Sequence, residues 1–173
     1  MKFEEKTQKI NYVFRGQLLT VRQDDVILPN GKSAKREIIE HNGGAGIYCE
    51  KDGKILLVKQ FRYPYKETIY EIPAGKINKG ENPKETAIRE LSEEGGVEAE
   101  DVSLMFTVYP TPGYTQEITY IYKANKLKLS KIHLDEDEFL SAEWIDKEEV
   151  KKMVESGEIK DAKTLIALLH ELK

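Results

Sequence analysis

With 173 residues, 39% of them hydrophobic and 34% charged, the chain is long enough for one domain, or one domain with an appendage, and apolar enough to bury a core. A net charge of −4 and a pI near 5.6 exclude the basic footprint of a nucleic-acid binder, so anionic substrates must be met by local arginines or bound metal. A lone cysteine, Cys49, excludes an intramolecular disulfide and fits a reducing cytoplasm, while the N-terminal residues lack a secretory signal's apolar core and no run is long enough to span a membrane.

Residues 8 to 41 alternate in short strand-like runs around expected turns at Asp24-Asp25 and Pro29-Asn30-Gly31. Residues 44 to 50 and 53 to 60 read as paired strands joined by Lys51-Asp52-Gly53. A helix is predicted from Pro83. Asn82 is a good N-cap, proline suits the first helical position, Glu85 favours the positive end, and Gly95-Gly96 supplies the stop. Strands follow near 102 to 109 and 117 to 125, then the acidic run Asp135-Glu136-Asp137-Glu138 in a loop, then a strand over 141 to 145. Helices are predicted over 147 to 155 and 161 to 172, the last with Leu165, Ile166, Leu168 and Leu169 as a core face. Strands mixed with helices imply an α/β fold with helices on both sides of a sheet.

The helix after Asn82 carries the chemistry. Glu90, Glu93 and Glu94 fall within five residues, and like charges this close cost stability unless a cation offsets them. At about 100° per residue, Glu90 and Glu94 lie one turn apart beside the stripe of Ala87 and Leu91, with Glu93 further round. Read alone, the three glutamates fit a solvated acidic face or a site for Mg²⁺ or Mn²⁺, which prefer hard oxygen ligands. His41, His133 and His170 are too scattered to suggest zinc.

The spacing of the whole segment sharpens the choice. Gly75, Glu81, Arg89-Glu90, an aliphatic residue, Glu93-Glu94, Gly96 and Val97 resemble the Nudix box at every defined position. The resemblance implies a loop, helix and loop that binds divalent metal and promotes water attack on a diphosphate within a nucleoside diphosphate derivative. It implies Glu90 and Glu94 as the main metal ligands and Glu93 as a further ligand or a base. Arg89 would orient and charge-balance the glutamates, and Glu81 would brace the loop. The main-chain carbonyl of Ala74 is similar to a metal ligand of the ADP-ribose pyrophosphatase group.

Further motifs resemble that group. They are Arg36-Glu37-Ile38-Ile39-Glu40-His41, Gln60-Phe61-Arg62-Tyr63-Pro64, Glu71-Ile72-Pro73-Ala74-Gly75, and Tyr109-Pro110-Thr111-Pro112-Gly113-Tyr114, whose Pro112 lies sixteen residues after Gly96. The resemblance makes Arg62 a phosphate ligand, since a guanidinium grips phosphate oxygens bidentately. Arg36 is a second candidate for that contact, and Pro112 joins the substrate-binding candidates. A loop glutamate, Glu136 or Glu138, would close over the substrate as general base, assembling the site after substrate binds.

The fold so implied is a Nudix-type α/β/α sandwich with a mixed sheet. Residues 1 to 43 would form a small N-terminal β subdomain, exchanged between the protomers of a homodimer, and residues 44 to 173 the hydrolase domain. The expected activity is Mg²⁺-dependent hydrolysis of ADP-ribose to AMP and ribose 5-phosphate, with Mn²⁺ as substitute. GDP-mannose or another nucleotide sugar is the alternative substrate. A non-catalytic ADP-ribose-binding module is the alternative from another class; such modules typically have a degraded box, and here every box carboxylate is present.

Overall fold

The computed structural model describes residues 3–134 and 139–173. The chain divides into two compact units, one of Met1–Gly43 with Tyr109–Ile118 and one of Gly44–Val108 with Thr119–Lys173.

The first unit holds a four-stranded antiparallel sheet of β1 (Lys6–Lys9), β2 (Tyr12–Arg15), β3 (Thr20–Ile27) and β4 (Ser33–Glu40). β3 is its spine. β1 and β2 pair with successive halves of it, and β4 runs along it from Ser33 to Glu40. Gly31, with φ at 81°, turns the chain between β3 and β4, where Pro29-Asn30-Gly31 was expected to do so. The turn expected at Asp24-Asp25 is not there. Both residues lie inside β3, opposite Arg36 and Lys35. Asp24 is buried 3.4 Å from Arg22 Nε, and Asn11 Nδ2 donates to Asp25 at 3.2 Å. Neighbouring cations and strand pairing override the local turn preference of aspartate. Tyr109–Ile118 joins this unit through Ile39, whose N–H donates to Tyr114 and whose carbonyl accepts from Gln116.

The second unit is built on β5 (Gly44–Lys51), β6 (Lys54–Arg62), β7 (Glu67–Glu71), β8 (Ala74–Lys76), β9 (Val97–Val108), β10 (Thr119–Leu129) and β11 (Leu140–Asp146). Its helices are α1 (Pro83–Glu93), α2 (Lys147–Glu155) and α3 (Ala162–Glu171). The sheet order is β11-β6-β5-β10-β9, with β7 on β6 and β8 on β5. It is mixed, because β5 and β10 are parallel and the other pairs antiparallel.

Alternation along the central strands explains the layers. Ala45, Ile47 and Cys49 of β5 and Leu56 of β6 pack in one core with Ala87 and Leu91 of α1. Tyr48 of β5 and Ile55 and Leu57 of β6 pack in a second core with Val150, Met153, Ala167 and Leu168 of α2 and α3. A sheet with both faces apolar must be covered on both, so α1 lies on one side and α2 with α3 on the other.

β5 and β6 are joined through Asp52 and Gly53, both at positive φ, a two-residue turn matched to strand twist. They pair only next to it, at Glu50–Ile55 and Lys51–Lys54. Beyond, they part: β6 takes β7 as partner and β5 takes β8. Ile72 and Pro73 pass through the parting. The Ile47 N–H donates to the Pro73 carbonyl at 2.9 Å, and the Ile72 N–H to Thr164 Oγ1 at 2.9 Å. This delivers Ala74 and Gly75 to α1. Among the described residues, no helix is long and apolar enough to cross a membrane.

Candidate active site

The α1 helix forms where its local signals place it. Asn82 Oδ1 accepts from the Lys84 N–H at 2.9 Å, and Pro83 opens the helix without losing a bonded N–H. At its end, the Gly96 N–H reaches the Ser92 carbonyl and Gly96 turns with φ at 61°. The buried stripe is Thr86, Ala87, Glu90 and Leu91, continued by Glu94. Two carboxylates therefore share the face that α1 turns to the core, with Glu90 only 6% and Glu94 only 3% exposed.

Arg89 organises the acids. Its Nη1 donates to Glu90 Oε1 and to Glu93 Oε2, each at 2.8 Å, and its Nε to Glu81 Oε1 at 3.1 Å. Glu81 Oε2 also accepts from the Asn78 N–H at 2.9 Å, which closes the loop ahead of the helix. The Arg89 hydrogen bond first, and the Asn78 N–H second, lower the Glu81 carboxyl pKa to about 2. One guanidinium thus offsets three carboxylates that would otherwise repel.

The segment delivered between β7 and β8 meets these acids from the sheet side. The Ala74 N–H donates to Glu94 Oε2 at 2.8 Å. Gly75 lies against Glu90: a β-carbon there would stand 1.8 Å from Glu90 Oε1. Among the described residues, no three His, Cys, Asp or Glu side chains form a metal cage. Glu90 and Glu94 instead offer two hard oxygen donors beside main chain, the donor set suited to a divalent ion that keeps part of its water shell. The residues fit such an ion.

A second charged cluster adjoins the first. Arg62, at the end of β6, donates through Nε and Nη2 (2.8 Å) to the two oxygens of Glu71. Glu71 is 2% exposed and also pairs with Lys163, which stands 3.0 Å from Asp161. Burial works to raise the Glu71 pKa, but the Arg62 hydrogen bond and the Lys163 charge outweigh it and hold the carboxyl below its ordinary value. The Glu71 hydrogen bond raises the Arg62 pKa, and the charges of Glu71, Asp161 and Glu94 add to it.

Among the expected site residues, Ala74, Arg89, Glu90, Glu93 and Glu94 come together, and Arg62 is paired with Glu71, three residues before Ala74. Arg36 lies in the other unit, its guanidinium paired with Glu5. Pro112 lies exposed in the Tyr109–Ile118 segment of that unit. Glu136 and Glu138 fall outside the described residues. The chain leading to them is anchored, since the Ser130 N–H donates to the Gly96 carbonyl at 2.8 Å and the His133 N–H to the Glu93 carbonyl at 3.0 Å. Glu71 stands in a motif that gives it no role, and the one local signal of Asp161, Lys163 and Thr164 is the cap that Asp161 places on α3, which does not reveal their pairing with Glu71 and Ile72. Cys49 is buried, and burial pushes its thiol up to about 12, which leaves it inert.

Residues 40–168 match the family described as the NUDIX domain, and residues 5–39 match a nucleoside diphosphate sugar hydrolase N-terminal domain. The chain is 45% identical over 170 residues to an ADP-ribose pyrophosphatase of Bacillus subtilis (strain 168), covering 96% of this chain and 92% of that one. It is 41% identical over 171 residues to a methanol dehydrogenase activator of Bacillus methanolicus, covering 97% and 92%. Its fold matches a crystal structure of an ADP compounds hydrolase with a TM-score of 0.83 at 23% identity, over 97% of this chain and 93% of that one. The glutamates gathered by Arg89, the Gly75 contact and a domain match over most of the chain make this protein a member of the Nudix hydrolase family.

Proposed function

We propose that the protein hydrolyses ADP-ribose to AMP and ribose 5-phosphate with Mg²⁺, for which Mn²⁺ can substitute. The observation that carries this reading is the pair of buried glutamates on one stripe of α1, Glu90 paired with Arg89 and Glu94 accepting from Ala74, in a chain related end to end to an ADP-ribose pyrophosphatase.

A divalent ion held by Glu90, Glu94 and the Ala74 carbonyl would offset the diphosphate charge and lower the pKa of the attacking water. Arg62 grips the phosphate oxygens and fixes the reacting phosphorus, and Arg36 is a second candidate for that contact. Water forms a new bond to that phosphorus as the bond to the bridging oxygen breaks, so AMP and ribose 5-phosphate leave. The water proton passes to a carboxylate, Glu93 or the loop residue Glu136 or Glu138. Arg89 orients Glu90 and Glu93 through its ion pairs, and Pro112 is a further substrate-binding candidate.

The same reading makes the protein a cytoplasmic homodimer with an exchanged N-terminal subdomain. β1 and β2 are exposed along their whole length, and Tyr12, Val13 and Phe14 stand out from β2 at 48%, 69% and 56% exposure. Apolar groups displayed together on a strand call for a covering partner. The single buried thiol agrees with a reducing compartment.

A phosphate-release panel tests the activity, coupling alkaline phosphatase to hydrolysis of ADP-ribose, GDP-mannose, UDP-glucose, NADH and diadenosine polyphosphates. ADP-ribose is expected to lead by about tenfold or more in kcat/KM, roughly 1.4 kcal/mol of transition-state preference. Another leading compound would keep the chemistry and replace the substrate. Silence with both Mg²⁺ and Mn²⁺ would indicate a binding module.

A further inference from the structure

Glu71 lies outside the box, yet it is among the most deeply buried charged groups of the second unit. It faces two cations of different exposure, Lys163 at 16% and Arg62 at 39%. A carboxylate buried this deeply is retained at a desolvation cost unless its partners are well placed. Those partners are fixed from behind. Lys163 pairs with Asp161, and Asp161 Oδ2 caps α3 by accepting from the Thr164 N–H at 3.0 Å and its hydroxyl at 2.6 Å. Thr164 Oγ1 in turn accepts from Ile72, the residue after Glu71. The first turn of α3 thus holds both the Glu71 side chain and its adjoining backbone.

Arg62 is the outward end of this chain of contacts. Glu71 engages only Nε and Nη2, the side edge of the guanidinium. Of its five N–H donors, one on Nη1 and one on Nη2 form the end edge, which points away from that pair, and the second on Nη1 turns back toward Cδ. We propose that Glu71 is the positioning residue for Arg62, clamping the guanidinium side-on so that its end edge is preset for a phosphate oxygen pair of the nucleoside diphosphate substrate. Lys163 is the counter-charge that lets Glu71 remain an anion without drawing on Arg62 alone. A long side chain held in its binding orientation before substrate arrives loses less freedom on binding. The proposal rests on the reading of Arg62 as a phosphate ligand.

The test is a double-mutant cycle on the full chain, with ADP-ribose and Mg²⁺ and with folding checked by thermal melting. Arg62→Ala is expected to lower kcat/KM by about tenfold or more, Glu71→Gln nearly as much, and the double variant no further than Arg62→Ala. Guanidinium ion added at low concentration should restore part of the Arg62→Ala activity but none in the double variant, because the carboxylate that seats the ion is gone. A purely structural Glu71 would instead lower the melting temperature and leave rescue intact. Full activity in Glu71→Gln, additive losses, or equal rescue in both backgrounds overturns the positioning role while the phosphate role of Arg62 stands. Full activity in Arg62→Ala removes the phosphate role itself and the proposal with it. If Glu71→Gln does not fold, Glu71→Asp keeps the charge, withdraws the carboxylate from one of its two bonds, and runs the same cycle.

Discussion

The Glu90 carboxylate fills the volume that a side chain at position 75 would need, since a β-carbon on Gly75 would lie 1.8 Å from Glu90 Oε1 and 2.2 Å from its carboxyl carbon. Glycine is required here for space rather than for backbone freedom. The obstructing atoms are the far end of a flexible side chain, so the molecule can yield by moving that carboxylate.

That asymmetry gives the first prediction. Gly75→Ala should fold with a melting temperature close to the parent, yet lose about tenfold or more in kcat/KM because Glu90 is displaced. Thermal melts beside Mg²⁺ titrations of the rate check it. Parent-like turnover would mean that the position of Glu90 is unimportant.

Glu94→Gln separates charge from shape. The amide oxygen can still accept from the Ala74 N–H, which now bonds Glu94 Oε2, so the fold should persist. Turnover should fall by about 100-fold or more, since a neutral amide neither offsets a divalent ion nor holds it firmly. Unchanged rates at saturating Mg²⁺ would sink the ligand role.

The Glu81 carboxyl sets a pH dependence of stability. Its pKa falls from 4.5 to about 2 through the hydrogen bond from Arg89, then the Asn78 N–H. A lowered folded-state pKa means that the unfolded chain binds the extra proton between those values, so stability is present above 4.5 and lost as pH falls toward 2. Arg89→Met should flatten this acid limb, with the parent and variant converging near pH 2. Urea midpoints measured from pH 6 down to pH 2 decide it. A gap that stays constant on acidification would exclude the linkage.

Leu91 is fully buried where α1 meets β5 and β6. Leu91→Ala should cost about 2–5 kcal/mol, and lower the melting temperature by roughly 5–15 °C. Urea unfolding should show a shifted midpoint with an unchanged slope. A loss under 1 kcal/mol, by contrast, would mean that the helix is held by its polar contacts instead of its apolar stripe.

Much of the frame was legible in the residues. The α1 helix could be read from Asn82, Pro83 and the double glycine because caps and the helical period are local properties, and the Asp52-Gly53 turn for the same reason. The gathering of Glu90 and Glu93 on Arg89, with Glu94 one turn beyond Glu90, also follows from spacing on one helix. Other features have no local signal. β7 and β8 are short, and are strands only because β6 and β5 part and offer them edges. Asp24 and Asp25 sit inside β3 because Arg22, Asn11 and Lys35 receive them there, against their own turn preference. The Tyr109–Ile118 segment groups with the N-terminal strands through Ile39, far from it in sequence. Glu71 and Lys163 stand 92 residues apart, a pairing that exists only once α3 has packed on the sheet. By itself the sequence determined the box helix and the acids it carries, because period and capping act within a few residues. The tertiary structure decided what those acids and Arg62 face, because burial and ion pairing depend on which distant segments the sheet brings together.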